Sequence, residues 1–463
     1  MNRILHVIAV LIVLLCANTL WMYYVVVRFN IFDIFAILFV FFYLVKMFRQ
    51  NGIKIVSLVN PLKRYIFFLW GYFFISITSG FVVIFAPVGQ NQIDLFLKGI
   101  FILLFYTLFF TFFTIYISNI SPQKRLRLLH WYSYGVFISV MYSFAQFILI
   151  RDFAIDLDKI VWGALSILPE HSHIDFTTDE LMWGSFSGET FYRLRGLTGE
   201  SNVSATYIVS ILPLYFLIFL KRFKVKYFLV LLCLLAGLFF TLSMAGFVGL
   251  VVSLLVVYLL AMKKWGLYNY ILIIIISIPL LIFTYSKMDE LEAMYLIKTQ
   301  SGISGHLTVH NNTVEMVKLR PFLGYGYNTF SAVYEKMFGI WGYNPHNSWI
   351  GFMVESGIVA LIWNIIFIIF IILECLKRQS MISDAFIASL IGICVISLFH
   401  THLDTFQVRV FILLFFSNIV FTSPNGYFYD LFKDVKKTIF RKPEPALYLQ
   451  TLNPEIKRKV QQC

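Results

Sequence analysis

Residues 348–373 read SWIGFMVESGIVALIWNIIFIIFIIL. Crossing the roughly 30 Å hydrocarbon layer of a bilayer takes about 20 apolar residues at a helical rise of 1.5 Å, so this stretch is long enough to span. Outward from it, eleven further apolar segments appear at about 4–27, 29–45, 65–87, 98–118, 130–150, 203–220, 227–242, 246–262, 267–285, 385–401 and 407–421. Together they consume over half of the 463 residues and leave no room for a separate soluble domain of ordinary size. Composition agrees: 60% of residues are hydrophobic and 13% charged, against about 25% charged in a soluble domain. The expected fold is an all-α integral membrane protein of about twelve transmembrane helices with two large extracytoplasmic loops. The polytopic domain covers 1–421, and 422–463 form a basic tail.

Twelve crossings put both termini on one side, and charge says which. Arg3, the connections after the second, fourth, sixth, eighth and tenth segments, and the tail hold 25 of the 37 basic residues with only six acids. By the positive-inside rule that side is cytoplasmic. The net charge of +13 is therefore topological and gives no reason to invoke nucleic acid; the Lys433–Lys442 run can also touch anionic lipid headgroups. The first segment is too long for a signal-peptide core and lacks a small-residue cleavage site, so it reads as a signal anchor. Five scattered cysteines draw no disulfide framework. The inner side has no Gly-rich phosphate loop, which argues against an enzyme using cytosolic nucleotides.

Polar chemistry has room only in two outer loops, 151–202 and 286–347. The first ends in Arg193-Leu-Arg195-Gly-Leu-Thr-Gly-Glu200-Ser-Asn202 ahead of an apolar helix. Arginine forks, glycines and a helix N-terminus can hold a phosphate, and the same arginines can equally anchor a helix at the headgroups. The second loop carries His306, an amphipathic stretch through Lys318 expected to lie on the membrane surface, then Arg320-Pro-Phe-Leu-Gly324-Tyr-Gly326 and Asn344-Pro-His346-Asn347-Ser-Trp349. The Gly324-x-Gly326 pair reads as a tight turn. His346, a loop imidazole beside the membrane, can accept a proton near working pH. The acids of the first loop, with His171 and His173, read as a solvated face, so no metal is expected. His400, His402 and Asp404 at the outer end of the eleventh segment line an acceptor cavity or cap a short turn.

The order Arg195-Gly-Leu-Thr-Gly-Glu-Ser-Asn202, Ser243-x-x-Gly246, Arg320-Pro-Phe-Leu-Gly-Tyr-Gly326, and Pro345-His-Asn-Ser-Trp349 leading into Glu355-Ser-Gly-Ile358 resembles the O-antigen polymerase and O-antigen ligase superfamily. The resemblance covers 193–358 by motif and the rest by helix number. It implies a membrane glycosyltransferase of the GT-C type in the bacterial inner membrane, active on the extracytoplasmic face without a cofactor. The glycan would pass from undecaprenyl diphosphate to a hydroxyl, on another repeat unit in a polymerase or on a lipid, wall or protein acceptor in a ligase. A short cytoplasmic tail favours the polymerase; the remaining reading is a lipid-linked-oligosaccharide flippase, which would line a cavity with intramembrane charges where these spans are nearly free of them, Asp33 being the clearest exception. A flippase and a chain-length regulator are the expected partners beside membrane lipids. Arg195 takes the place of the family's diphosphate arginine, and His346 that of its loop histidine, as general base. Met244 and His306 stand where many members have arginine, so a second cation would come from His306, Lys318, Arg320 or Arg193. Glu200, Asn202, Asn344, Asn347, Gly324, Gly326 and His402 are expected to shape the loops or meet the acceptor.

The charge alternation fixes an accessibility pattern. In a background without native cysteines, Gly339→Cys is expected to react with an impermeant thiol reagent in intact cells and Lys437→Cys to stay unlabelled; the reverse pattern would overturn the topology.

Overall fold

The computed structural model describes residues 2–16, 21–22, 29–49, 58–89, 91–153, 155, 183–186, 189–192, 196–198, 201–261, 304–339, 345–378, 380–400, 403 and 405–421. All lie in the first of two units, Met1–Thr422; the second is Ser423–Cys463. The described chain is overwhelmingly helical: α1 Asn2–Cys16, α2 Ile31–Arg49, α3 Asn60–Thr78, α4 Gly80–Phe85, α5 Gln92–Asn119, α6 Pro122–Phe153, α7 Ser201–Arg222, α8 Val225–Phe240, α9 Met244–Ala261, α10 Ser304–Leu319, α11 Phe330–Phe338, α12 Ser348–Leu376, α13 Met381–Ile396 and α14 Phe406–Phe421. Two small antiparallel hairpins accompany them, β1 Trp21–Met22 with β2 Phe29–Asn30, and β3 Trp183–Phe186 with β4 Glu189–Tyr192.

Among the described residues five helices are long and apolar enough to cross a membrane: Asn60–Phe85, Gln92–Asn119, Pro122–Leu149, Ser201–Arg222 and Ser348–Leu376. Their outer faces carry bare aromatics such as Phe67, Phe74 and Phe101. Hydrocarbon accepts such faces, whereas water would drive them together. The chain is an integral membrane protein by this measure. In the middle, α7 is buried along most of its length, packed by α8, α9 and α13. Its hydroxyls turn inward, as Ser210 does to Tyr132 at 2.9 Å.

The sequence expectation needs two corrections. The first apolar run does not continue as one helix from 4 to 27: α1 stops at Cys16, and Trp21 and Met22 pair as strand with Asn30 and Phe29. Asn18 and Thr19 interrupt the apolar pattern there, and aromatic side chains suit a paired strand. The segment at 267–285 lies outside the described residues. Nor does α10 simply rest on a membrane surface. Its Met316 enters a core with Tyr325, Phe330, Val333, Tyr334 and Val354, with Val309 and Val317 against it, and Asn312 donates to the Tyr334 hydroxyl at 2.9 Å. The loop after α10 supplies the apolar partners that the amphipathic pattern would otherwise seek in lipid.

The site depends on a break in α12. Gly357 has φ 79° and ψ 177°, a backbone state essentially confined to glycine. In a continuous helix Ile358 N–H would bond Val354 C=O. Here Ile358 N–H donates to Pro321 O at 2.8 Å, while Val354 O and Glu355 O accept from Tyr325 N (2.7 Å) and Gly326 N (2.9 Å). The loop thus replaces what the helix gives up. Contact is backbone to backbone, so the positions between must be bare: a Cβ on Gly324 would overlap the Val354 carbonyl, and one on Gly357 the Phe322 carbonyl. Gln92, fully buried, ties the loop to α5 by donating to Tyr325 O at 2.5 Å and accepting from Val88 N at 2.7 Å.

Gly357→Ala therefore meets both a forbidden backbone state and an occupied space, and is expected to cost about 3 kcal/mol or more. Gly339 also has positive φ, but as the left-handed cap of α11 with no neighbour among the described residues where a Cβ would sit, so Gly339→Ala should cost only about 1 kcal/mol. Thermal unfolding in detergent checks the order of the two; equal melting temperatures would refute this account of the break.

Candidate functional site

His346 lies two residues before the start of α12. Asn347 caps the helix, its Oδ1 accepting from Trp349 N at 2.9 Å and Ile350 N at 3.1 Å, and His346 has a left-handed backbone with φ 50°. Few non-glycine residues adopt that state, and together with the cap it turns the imidazole out of the helix line. The His346 and His400 rings meet edge to face, centroids 6.4 Å apart. Ser348 holds the second histidine's turn in place: its N–H donates to Ser397 O (2.9 Å), its hydroxyl donates to His400 O (3.0 Å) and accepts from Leu403 N (3.2 Å). Two histidines read separately in the sequence thus share one end of the bundle. Asn344 and His402 lie outside the described residues.

Beside this end sits the Gly324-Tyr-Gly326 turn. Arg320 donates from Nη2 to Ala86 O at 3.1 Å, and its guanidinium lies 4.8 Å from the Tyr325 ring centroid. Burial pushes the Tyr325 hydroxyl above its ordinary pKa, with the Arg320 charge opposing. Lys318 is exposed and paired with Glu315 at 2.6 Å, a surface pair of small energetic weight. His306 is part of α10, its side chain outside the description.

The first-loop motif joins a different partner. Asn202, in the first turn of α7, accepts on Oδ1 from the Ser243 hydroxyl at 2.7 Å, and Ser243 Oγ accepts from Gly246 N at 3.1 Å. The preceding turn, Gly196–Thr198, docks on α6 through Leu197 N to Ser139 Oγ at 2.9 Å. Arg193, Arg195 and Glu200 lie outside the described residues. The four sequence motifs therefore meet as two pairs, Asn202 with Ser243–Gly246 and Arg320–Gly326 with the 345–358 segment. The end of α13 stands between them: Ile396 packs at Gly249 of α9, and the next residue, Ser397, takes the Ser348 bond.

One residue went unnoticed in the sequence. Arg409, in the first turn of α14, lies inside the segment read as 407–421, and its guanidinium is 5.1 Å from the Tyr72 ring centroid. Tyr72 meets Tyr327 and Phe352 edge to face, at 6.3 and 5.8 Å. Asp33, an acid in the first turn of α2, is buried and accepts from the Tyr106 hydroxyl at 3.1 Å. A lone basic residue in an apolar run was the available signal.

Arranged this way, the His346 end offers an imidazole beside a second imidazole, a glycine turn locked to α12, and two arginines stacked on tyrosines. It can take a proton and hold an anion. Comparison with curated proteins returns no match. A family model does match, over a segment that runs from α8 to the middle of α12 and contains Ser243, Arg320, Gly324, Gly326, His346 and Asn347. That model, matched by residues 228–365, is described as O-antigen ligase, and the match supports the resemblance of this part of the chain to the O-antigen polymerase and ligase superfamily.

Proposed function

We propose that the protein polymerises oligosaccharide repeat units carried on undecaprenyl diphosphate, as a GT-C-type enzyme of about twelve spans in the bacterial inner membrane. Both termini and the 422–463 tail are cytoplasmic in this reading, and the reaction takes place outside. The observation that carries it is the position of His346, within the O-antigen ligase segment and held by the Asn347 cap at an end of the bundle. Outside the cytosol no nucleotide sugar is on hand, so the donor brings its own leaving group. The acceptor hydroxyl oxygen attacks the anomeric carbon, the bond from that carbon to the diphosphate oxygen breaks, and the hydroxyl proton passes to His346. Undecaprenyl diphosphate departs with the bonding pair.

Charge grows on the diphosphate as that bond breaks. Arg195 is assigned to meet it, with the second cation drawn from Arg193, His306, Lys318 and Arg320; preorganised contacts of this kind are each worth on the order of 10²- to 10³-fold in rate. Of these, Arg320 has a buried Nη1 that finds no hydrogen-bond partner among the described residues, whereas Lys318 is engaged by Glu315. Asn202, Glu200, Asn344, Asn347, His402, Gly324 and Gly326 shape the loops around donor and acceptor. A flippase and a chain-length regulator would supply repeat units and limit the product. The family description supports a second reading, a ligase that moves the glycan to a lipid, wall or protein acceptor; the donor half of the chemistry is the same.

Purified protein given only lipid-linked repeat units separates the two, because a polymerase lengthens them unaided and a ligase needs a further acceptor. His346→Asn keeps polarity and size but takes no proton at neutral pH, so turnover is expected to fall by about 10²- to 10⁴-fold with insertion and melting temperature unchanged. Chain growth by that variant at the wild-type rate would remove His346 as the base.

A further inference from the structure

An arginine inside an apolar helix is expensive to place in a membrane and there faces protein or a polar cavity. Arg409 is also at the wrong end of its helix, since the N-terminal end of the macrodipole repels a cation. Among the described residues it forms no ion pair. The buried Asp33 of α2 accepts from the Tyr106 hydroxyl. What surrounds the guanidinium is the Tyr72 ring and a small, partly open recess between α3, α12 and α14. Phe68, Leu69, Phe367 and Ile412 wall that recess, with Asn364 and Arg409 as polar groups on its lining. An apolar trough with a single cation fits an anion borne on an apolar chain.

Helix directions place the Arg409 side of this recess at the His346 end of the bundle, while Trp363, Asn364, Phe367 and Ile368 line it farther along α12. Tyr72 faces Arg409 while Tyr65 faces Phe416, so α3 and α14 run antiparallel. Tyr72 faces Phe352 while Phe68 stacks on Phe370, so α3 and α12 do as well. The C-terminal end of α3, the His346 end of α12 and the first turn of α14 thus lie together. Leu403, whose N–H is bonded to Ser348 two residues after His346, lines the same recess.

We propose that Arg409 is a donor-binding residue: its guanidinium contacts the diphosphate of the lipid-linked glycan, and the first isoprene units lie along the apolar walls between α3, α12 and α14. This rests on the donor assigned under the proposed function and adds a cation that comes from a helix rather than from either outer loop. The fork of donors that suits a phosphate is already oriented by stacking on Tyr72, so little freedom is lost on binding.

The test uses the full chain in phosphatidylcholine nanodiscs with a polyprenyl diphosphate as probe. Arg409→Gln is expected to weaken probe binding about tenfold or more, the ordinary worth of a hydrogen bond to a charged group. Arg409→Lys should keep the charge, lose the fork and bind several-fold more weakly than wild type while melting at the same temperature; it decides the matter if the glutamine variant fails to fold. Wild-type affinity in a folded variant would overturn the proposal and leave the proposed function standing. No binding by the wild type would instead remove the lipid-diphosphate donor itself. Displacement of the probe by added phosphatidylglycerol, abolished by Arg409→Gln, would mark a bulk-lipid site and also overturn the assignment.

Discussion

In a medium without water, every backbone N–H and C=O must find a protein partner, and the break in α12 is where this chain meets that demand in an unusual way. The helix surrenders its own bonding at Gly357, and the 321–326 loop makes up the difference with Tyr325 N, Gly326 N and Pro321 O. Much of the His346 end is set by that exchange. It holds the Gly324 turn against α12, brings Tyr327 to Tyr72, and leaves Ser348–Ser356 as a short helical piece with its own cap at Asn347. Gln92 carries the fixation across to α5.

The same exchange shows how far sequence reading reaches. Hydropathy located the helices well where apolar runs are long and uniform, as in α5, α7 and α12, because the bilayer imposes one length and one composition on them. It failed at 4–27, where two polar residues and a strand pair divide a run that remains apolar on average. Gly324 and Gly326 were legible as a turn, yet nothing local announces that the turn's N–H groups serve a helix thirty residues on. Gly357 stood within the Glu355-Ser-Gly-Ile358 motif, yet nothing there announces that the helix breaks at it.

Site residues divide along similar lines. His346, Asn347 and Arg320 stood out because polar groups at a membrane boundary are few, and their motif order pointed to a family. The proximity of His400 to His346, and of Asn202 to Ser243, comes from how α13 and α9 are packed and has no trace in spacing. Arg409 was visible all along but was counted as part of a span. A charge inside an apolar segment carries more information than the hydropathy average that absorbs it.

Three main-chain bonds join 321–326 to 354–358, and each is addressed to a particular atom. Their geometry fixes the residue count on both sides, because adding one residue between Pro321 and Gly326 would shift every later N–H past its carbonyl. Changes of length in this protein must therefore be absorbed elsewhere, in segments that make no such main-chain bonds to α12. Sequence variation in this membrane protein has its room in those places, while the strap over α12 keeps its length.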